Sequence, residues 1–335
     1  MTGEKPRPAE IRDVTLLRPL LCETVTGSTM AELRHARDAI IGADLVELRI
    51  DTVSDPDVAG ALANRRVPVI VTCRPLWEGG RFKGSEEERK RLLGHAIELG
   101  VEFVDIEWRA GFVDLIARTD GRRIVLSSHE FDRMPDDLEQ RSRVMCSAGA
   151  EVIKIAATVH GLSDCLRFRS LTEELTAAQK HVWIGMGEAG DVTRILAARF
   201  GSAWTYAGDL AGIGQVTTSR LLAAFRFADI SDSTEIYGVV GRGDQRFVLP
   251  AMINAGFAAI GRDAVCLPLA PANSDDLAEF SRSVALKGAV LSFARPEIAN
   301  DNLLVSTTAE QVRLWTGVQV PLEVFRATLL AFRSF

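Results

Sequence analysis

No apolar run in this 335-residue chain approaches membrane-spanning length. Its five cysteines, Cys22, Cys73, Cys146, Cys165 and Cys266, are scattered and form no C-x-x-C pair, so neither a zinc site nor a dithiol redox motif is suggested. An odd, dispersed set fits reduced thiols and a cytoplasmic location. Positive charge is in deficit: the formal net charge is −6, and no basic stripe compensates, which argues against a nucleic-acid partner. Met1 to Asp13 is charged and proline-bearing, lacks an apolar signal core, and reads as a loose tail. What is present is ordinary for a globular chain, with 47% apolar and 25% charged residues. The length allows one large barrel plus a small domain, or two ordinary domains.

A rhythm of short strands and amphipathic helices runs through the first two thirds. Strands are predicted at Leu20–Val25, Asp44–Asp51, Pro68–Arg74, Phe103–Trp108, Arg123–Glu130, Glu151–Thr158, Val182–Met186 and Ala203–Ala207. Thr29 is placed to cap a helix with Met30, Leu33, Ala36 and Ile40 on one face. Ser85-Glu86-Glu87-Glu88 carries a capping box and an acidic first turn, before Leu92, Leu93, Ala96 and Ile97. Further helices are predicted over Asp136–Cys146, Ser163–Lys180, Val192–Phe200 and Thr217–Phe227. Eight such repeats in one stretch favour a closed (β/α)8 TIM barrel over an open doubly wound sheet.

Chemistry in such a barrel gathers at the C-terminal ends of the strands. Glu47, Arg49, Arg74, His129 and Lys154 fall near those ends, and Glu78 and Arg194 just beyond them. In Glu151-Val152-Ile153-Lys154-Ile155-Ala156-Ala157-Thr158 the lysine interrupts a buried-strand pattern. It either snorkels to solvent from a strand end or is desolvated into a neutral, nucleophilic amine. Arg74 and Arg194 read equally well as surface charges, and His129 as a core histidine, when each is taken alone. Their recurrence at one rim is the informative feature. Gly185-Met186-Gly187-Glu188-Ala189-Gly190 matches G-x-G-x-x-G, but a dinucleotide fingerprint belongs in the first turn of its fold, and six repeats precede this one.

The segments Val46-Glu47-Leu48-Arg49-Ile50-Asp51, Thr72-Cys73-Arg74-Pro75-Leu76-Trp77-Glu78-Gly79-Gly80, Ser128-His129-Glu130-Phe131 and Val152-Ile153-Lys154-Ile155-Ala156 resemble, in order, the motifs of type I 3-dehydroquinate dehydratase. So do Met186-Gly187-Glu188-Ala189-Gly190-Asp191-Val192-Thr193-Arg194 and Gly214-Gln215. The resemblance implies that Lys154 forms an imine with 3-dehydroquinate. His129 would then act as base and acid, and Glu78 would orient it. Arg194 and Gln215 would hold the substrate carboxylate, and Glu47, Arg49 and Arg74 the ring hydroxyls. It implies no metal and no organic cofactor. One departure is visible: the family's closing loop carries Ser-Ala-Pro-Gly-Gln, whereas here Ala211 falls where the serine would be.

After a linker at Ser231-Asp232-Ser233-Thr234, a second unit resembles the substrate domain of shikimate dehydrogenase. Glu235–Arg242 matches its opening strand, Pro250–Phe257 its first helix, Ala264–Leu269 its second strand and Ala309–Gly317 its closing helix. The expected domains are therefore 14–230, the barrel, and 235–335, a small α/β remnant without the NADP-binding domain. The family's paired serines are replaced by Phe247-Val248-Leu249, and its catalytic lysine falls at about Pro296; Gln311 alone matches a shikimate-contacting position. The expectation is a catalytically inactive unit that serves packing or self-association, with a homodimer as one assembly this would allow. The partner is a small molecule, with neither nucleic acid nor membrane. Two other readings compete: another imine-forming lyase or aldolase, and a non-catalytic ligand sensor or scaffold.

Overall fold

A computed structural model describes residues 18–176, 178–208, 216–292 and 301–333. Strands β1 (Leu20–Val25), β2 (Leu45–Arg49), β3 (Val69–Thr72), β4 (Phe103–Glu107), β5 (Ile124–Glu130), β6 (Val152–Thr158), β7 (Lys180–Met186) and β8 (Trp204–Ala207) form one parallel sheet in the order β7-β6-β5-β4-β3-β2-β1-β8. Its two ends meet where the Ala203 N–H donates to the His181 carbonyl at 2.8 Å and the Trp183 N–H to Ser202 Oγ at 3.1 Å. The result is a near-closed (β/α)8 barrel, as the strand rhythm predicts. The strands are short, β-branched and buried on both faces, as in Val69-Ile70-Val71-Thr72, because helices cover the outside and side chains fill the inside.

Helices α1 (Met30–Ala39), α2 (Val58–Leu62), α3 (Glu86–Glu98), α4 (Val113–Arg118), α5 (Leu138–Ser147), α6 (Leu162–Glu174), α7 (Asp191–Ile195) and α8 (Thr218–Ala223) follow the strands. Thr29 and Ser85 cap α1 and α3 as expected, each hydroxyl accepting from an N–H three residues on. On α1, Arg37 is buried where the periodicity favours Ile40; its guanidinium reaches the Ala61 carbonyl at 2.5 Å. Three helices are shorter than predicted. α6 stops at Glu174 because Lys180 already belongs to β7, and a turn with Gln179 N–H on the Thr176 carbonyl intervenes. α7 stops at Ile195 and α8 at Ala223, although single bonds of helical spacing, such as Phe200 N–H to the Leu196 carbonyl at 3.2 Å, follow α7. The periodicity does not show α2 and α4, which are five and six residues long.

The chain gathers into two compact units. One takes the described parts of Met1–Ala157, Glu174–Ile184 and Gly201–Gly208; the other takes those of Thr158–Glu173, Gly185–Phe200 and Asp209–Phe335. The second unit thus joins α6, α7 and α8 to a C-terminal module. There β9 (Glu235–Val240), β10 (Ala264–Leu269) and β11 (Gly288–Leu291) form a parallel sheet in the order β10-β9-β11. Helices α9 (Val248–Ala259), α11 (Asp301–Thr316) and α12 (Leu322–Arg333) supply its core, which joins Tyr237 and Val239 to Met252, Phe257, Val312 and Phe325. Helix α10 (Ser274–Val284) and strand β11 are further elements of the module that the sequence reading does not predict. No helix among the described residues is long and apolar enough to cross a membrane.

Candidate active site

Strand side chains alternate between faces, so polar residues spaced by two point together. Here Glu47 and Arg49 on β2, Asp105 and Glu107 on β4, and Lys154 on β6 alternate with apolar neighbours, and Ser127 and His129 on β5 are likewise spaced by two. Parallel register sets Thr72 beside Asp105, Glu107 beside Ser127, and Ser127 beside Lys154. His129 is opposite Ala156, two residues beyond Lys154 on the same face. A band of ionisable groups therefore lines one interior.

Lys154 is 3% exposed, so it does not snorkel to solvent. Its strand neighbours are apolar but its tip is not. Nζ lies 2.6 Å from Asp105 Oδ2, 3.5 Å from Glu47 Oε1, and donates to Tyr206 Oη at 3.2 Å. Glu47 is fixed in turn by the hydroxyls of Thr24 at 3.1 Å and Thr72 at 2.8 Å. Such paired burial offsets the cost of desolvating a charge.

His129 and Glu78 form the second element. Glu78 Oε1 accepts the His129 backbone N–H at 2.9 Å and lies 3.0 Å from Nδ1. Burial raises the Glu78 carboxyl to about 7, with Glu107 and Asp105 adding to the shift and Arg74 opposing it. Burial also holds the His129 imidazole well below its ordinary value, helped by the positive charges of Arg74 and Lys154. The ring is therefore neutral near pH 7. An ionised Glu78 favours the tautomer with the proton on Nδ1, which leaves Nε2 as a base.

Arginines tie these elements together. Arg74 Nη1 donates to Glu107 at 2.6 Å and Ser127 Oγ at 2.9 Å, and stands 3.0 Å from Asp105 Oδ1. Burial alone would lower its pKa, but Asp105 and Glu107 raise it. Burial would likewise raise Asp105, but Arg74 and Lys154 hold it well below the usual carboxylate range. Arg89 bridges the other Glu107 oxygen to Glu86. Arg49 clamps Asp51 through two 2.8 Å bonds. The sequence reading does not single out Asp105, Glu107, Ser127, Thr72, Tyr206 or Arg89. For Asp105 and Glu107 the signal was available: Phe103-Val104-Asp105-Ile106-Glu107 alternates as Val46-Glu47-Leu48-Arg49 does.

Arg194 belongs to the second compact unit, on α7, and is 1% exposed. Burial lowers its pKa to about 10, with Asp191 opposing the shift. The loop before it explains the glycine pattern without a nucleotide. A Cβ on Gly190 would meet the Gly185 carbonyl carbon at 2.3 Å, and Gly187 has φ +89. Thr193 Oγ1 then accepts from the Gly185 N–H and donates to the Gly190 carbonyl, which fixes the turn. Gln215 and Ala211 lie outside the described residues. Among the described residues, no group of three or more His, Cys, Asp or Glu side chains is arranged to hold a metal ion.

Known proteins resemble this chain along the whole barrel. The type I 3-dehydroquinase family model matches residues 21–232. A 3-dehydroquinate dehydratase of Methanocaldococcus jannaschii is 34% identical over 218 residues, 62% of this chain and 97% of that protein. The bifunctional chloroplastic 3-dehydroquinate dehydratase/shikimate dehydrogenase of Arabidopsis thaliana is 28% identical over 305 residues, 83% of this chain. This chain spans only half the length of that fused relative. The crystal structure of 3-dehydroquinate dehydratase from Geobacillus kaustophilus superposes with a TM-score of 0.54 at 26% identity, over 61% of this chain and 89% of that one. The chain belongs to the type I 3-dehydroquinase family.

Proposed function

We propose that this chain dehydrates 3-dehydroquinate to 3-dehydroshikimate through a Schiff base on Lys154, as a step of aromatic amino acid biosynthesis. The observation that carries this reading is the register that puts Lys154 and His129 on one face of adjacent strands, with Glu78 on the imidazole Nδ1. The Lys154 amine adds to the substrate ketone and water leaves. The resulting iminium withdraws electrons from the neighbouring carbon, so its C–H becomes acidic. His129 Nε2 takes that proton, and the electron pair forms an enamine. The enamine expels the hydroxyl one carbon further on as His129 returns the proton to it. Hydrolysis of the imine releases product and restores Lys154. The net change is the loss of one water, and the electron sink is the iminium itself, so the scheme calls for no cofactor.

Arg194 and Gln215 are assigned to the substrate carboxylate, and Glu47, Arg49 and Arg74 to the ring hydroxyls. The domains are assigned as 14–230 and 235–335, the latter a shikimate dehydrogenase-like remnant without oxidoreductase activity. Phe247, Val248 and Leu249, at the family's serine positions, are all buried apolar side chains and offer no donors to a carboxylate. Pro296 lies outside the described residues. Self-association, as a homodimer, and a cytoplasmic location complete the reading. The test is borohydride reduction in the presence of 3-dehydroquinate, followed by peptide mapping. The ligand mass should appear on the peptide containing Lys154; label on another lysine, or none from active protein, removes the imine mechanism.

A further inference from the structure

We propose that Arg89, the buried guanidinium at the start of α3, is a positioning residue for the dehydration: by holding Glu107 and the Cys73 carbonyl it fixes Arg74 in the place from which Arg74 binds the ring hydroxyls of the substrate. The inference rests on the assignment of Arg74 just made.

Arg89 is fully buried, directly after Glu86-Glu87-Glu88 in the first turn of α3. A cation there opposes the helix dipole, so helix stability does not account for it. Its contacts do. Nη1 donates to Glu107 Oε2 and, at 3.3 Å, to the Cys73 carbonyl. Nε and Nη2 donate to Glu86 Oε2 at 3.1 and 2.6 Å. The guanidinium carbon lies 4.7 Å from the centroid of the Phe112 ring, which further fixes its orientation. Every nitrogen of this guanidinium is committed to the protein, so Arg89 acts on a substrate only through another residue.

The contacts converge on Arg74. Glu107 is fully buried, and its other oxygen, Oε1, accepts from Arg74 Nη1 at 2.6 Å. The same Nη1 donates to Ser127 Oγ at 2.9 Å and stands 3.0 Å from Asp105 Oδ1. These bonds anchor the Arg74 guanidinium by one nitrogen. Its backbone is held as well. Cys73, whose carbonyl Arg89 takes, directly precedes Arg74. The Phe82 N–H donates to the Arg74 carbonyl at 3.2 Å, and a Cβ on Gly80 would come within 2.0 Å of that carbonyl oxygen. Arg89 therefore grips the chain just before Arg74, and the returning loop grips it just after. Without Arg89, Glu107 keeps one cation instead of two in a desolvated setting. A buried carboxylate that loses compensation takes up a proton or draws its remaining partner closer. A proton weakens its hold on Arg74 Nη1 and leaves that nitrogen to Ser127 and Asp105; a closer approach pulls it the other way. Either change moves Arg74 from its place.

The test uses the full chain with 3-dehydroquinate and reads KM apart from kcat. R89M should raise KM by about tenfold with kcat within about threefold, because a contact to ring hydroxyls is lost alike from the bound substrate and the transition state. A residue that only supports the fold would lower the melting temperature and the active fraction and leave KM alone. R89K keeps a charge for Glu107 but cannot also fork onto Glu86 and the Cys73 carbonyl, so its KM should fall between those of wild type and R89M. R74K should raise KM by itself, and adding R89M to it should bring less than about a threefold further rise, because the effect runs through Arg74. An unaltered KM in R89M, a fall in kcat at unchanged KM, or a further rise of about threefold or more in the R74K background overturns the proposal. If thermal melting shows that R89M does not fold, R89K carries the test: its KM excess should be about threefold and should vanish in the R74K background, and an absent or undiminished excess overturns the proposal. A wild-type chain that does not dehydrate 3-dehydroquinate removes the underlying reading and this inference with it. Wild-type turnover with an unaltered R89M KM overturns the positioning role alone.

Discussion

Lys154 Nζ and Asp105 Oδ2 stand 2.6 Å apart, both buried, as an ion pair. Asp105 spends its other oxygen on Ser127 Oγ at 2.6 Å and Arg74 at 3.0 Å. One carboxylate therefore fixes the lysine and the arginine at once. Asp105→Ala would leave both cations with less compensation. The expected loss is roughly 3–5 kcal/mol of folding stability, read from denaturant unfolding. Asp105→Asn keeps the shape and should cost less, yet slow imine trapping on Lys154. Unfolding curves that superpose on wild type for both variants would remove Asp105 from this role.

Glu78 predicts a stability cost with a defined sign. Its folded-state carboxyl titrates near 7, above the usual 4.5 of an exposed glutamate. Between those values the folded chain holds a proton that the unfolded chain has released. Stability from this group is thus fully present below about pH 4.5 and is lost as pH rises through 7. Glu78→Gln removes the penalty and should stabilise the protein by up to about 3 kcal/mol at pH 8 relative to wild type. Melting temperatures measured at pH 5 and pH 8 check this: the gain should appear at pH 8 and shrink at pH 5.

The same residue should shape the pH–rate profile. His129 is neutral near pH 7 because its pKa is depressed by burial and by Arg74 and Lys154. The acidic limb of kcat/KM should accordingly follow Glu78, near pH 7, as protonation removes the acceptor for Nδ1–H. Glu78→Gln should flatten that limb while lowering the plateau. An unshifted limb in this variant would place the titration elsewhere.

His129→Ala should reduce turnover by about 100- to 10,000-fold, the usual contribution of a positioned acid–base group. Imine formation on Lys154 should persist more slowly, because the amine is on a different strand from the imidazole. The two outcomes are separable by stopped assays and borohydride trapping of the same sample. Near-normal dehydration would show that another group moves the proton.

The full chain should show no NADPH-dependent reduction of 3-dehydroshikimate. The positions expected to bind a carboxylate are filled by buried Phe247, Val248 and Leu249. Oxidation of NADPH, followed at saturating substrate, would overturn the assignment of the C-terminal module as a remnant.

By itself the sequence determined the barrel and which of its strand side chains share a face. Alternation of period two in strands such as Asp44–Asp51 and Glu151–Thr158 decides which side chains share a face, and no distant partner is needed for that. Glu47, His129 and Lys154 could therefore be placed on one rim before any fold was known, and Asp105 and Glu107 obey the same rule. Only the tertiary structure decided which charge meets which. Lys154 and Glu47 are 107 residues apart, Arg246 and Asp191 are 55, and Asp276 and Leu162 are 114. Local patterning assigns each of these to a strand, a turn or a helix start and is silent about its partner. Burial then makes an unpaired charge costly, so the partner has to be supplied by whatever element packs there. Arg246 shows the limit most plainly. In sequence it is one charge beside Phe247-Val248-Leu249; in the fold it is the hydrogen-bond donor to a buried aspartate three residues before Arg194.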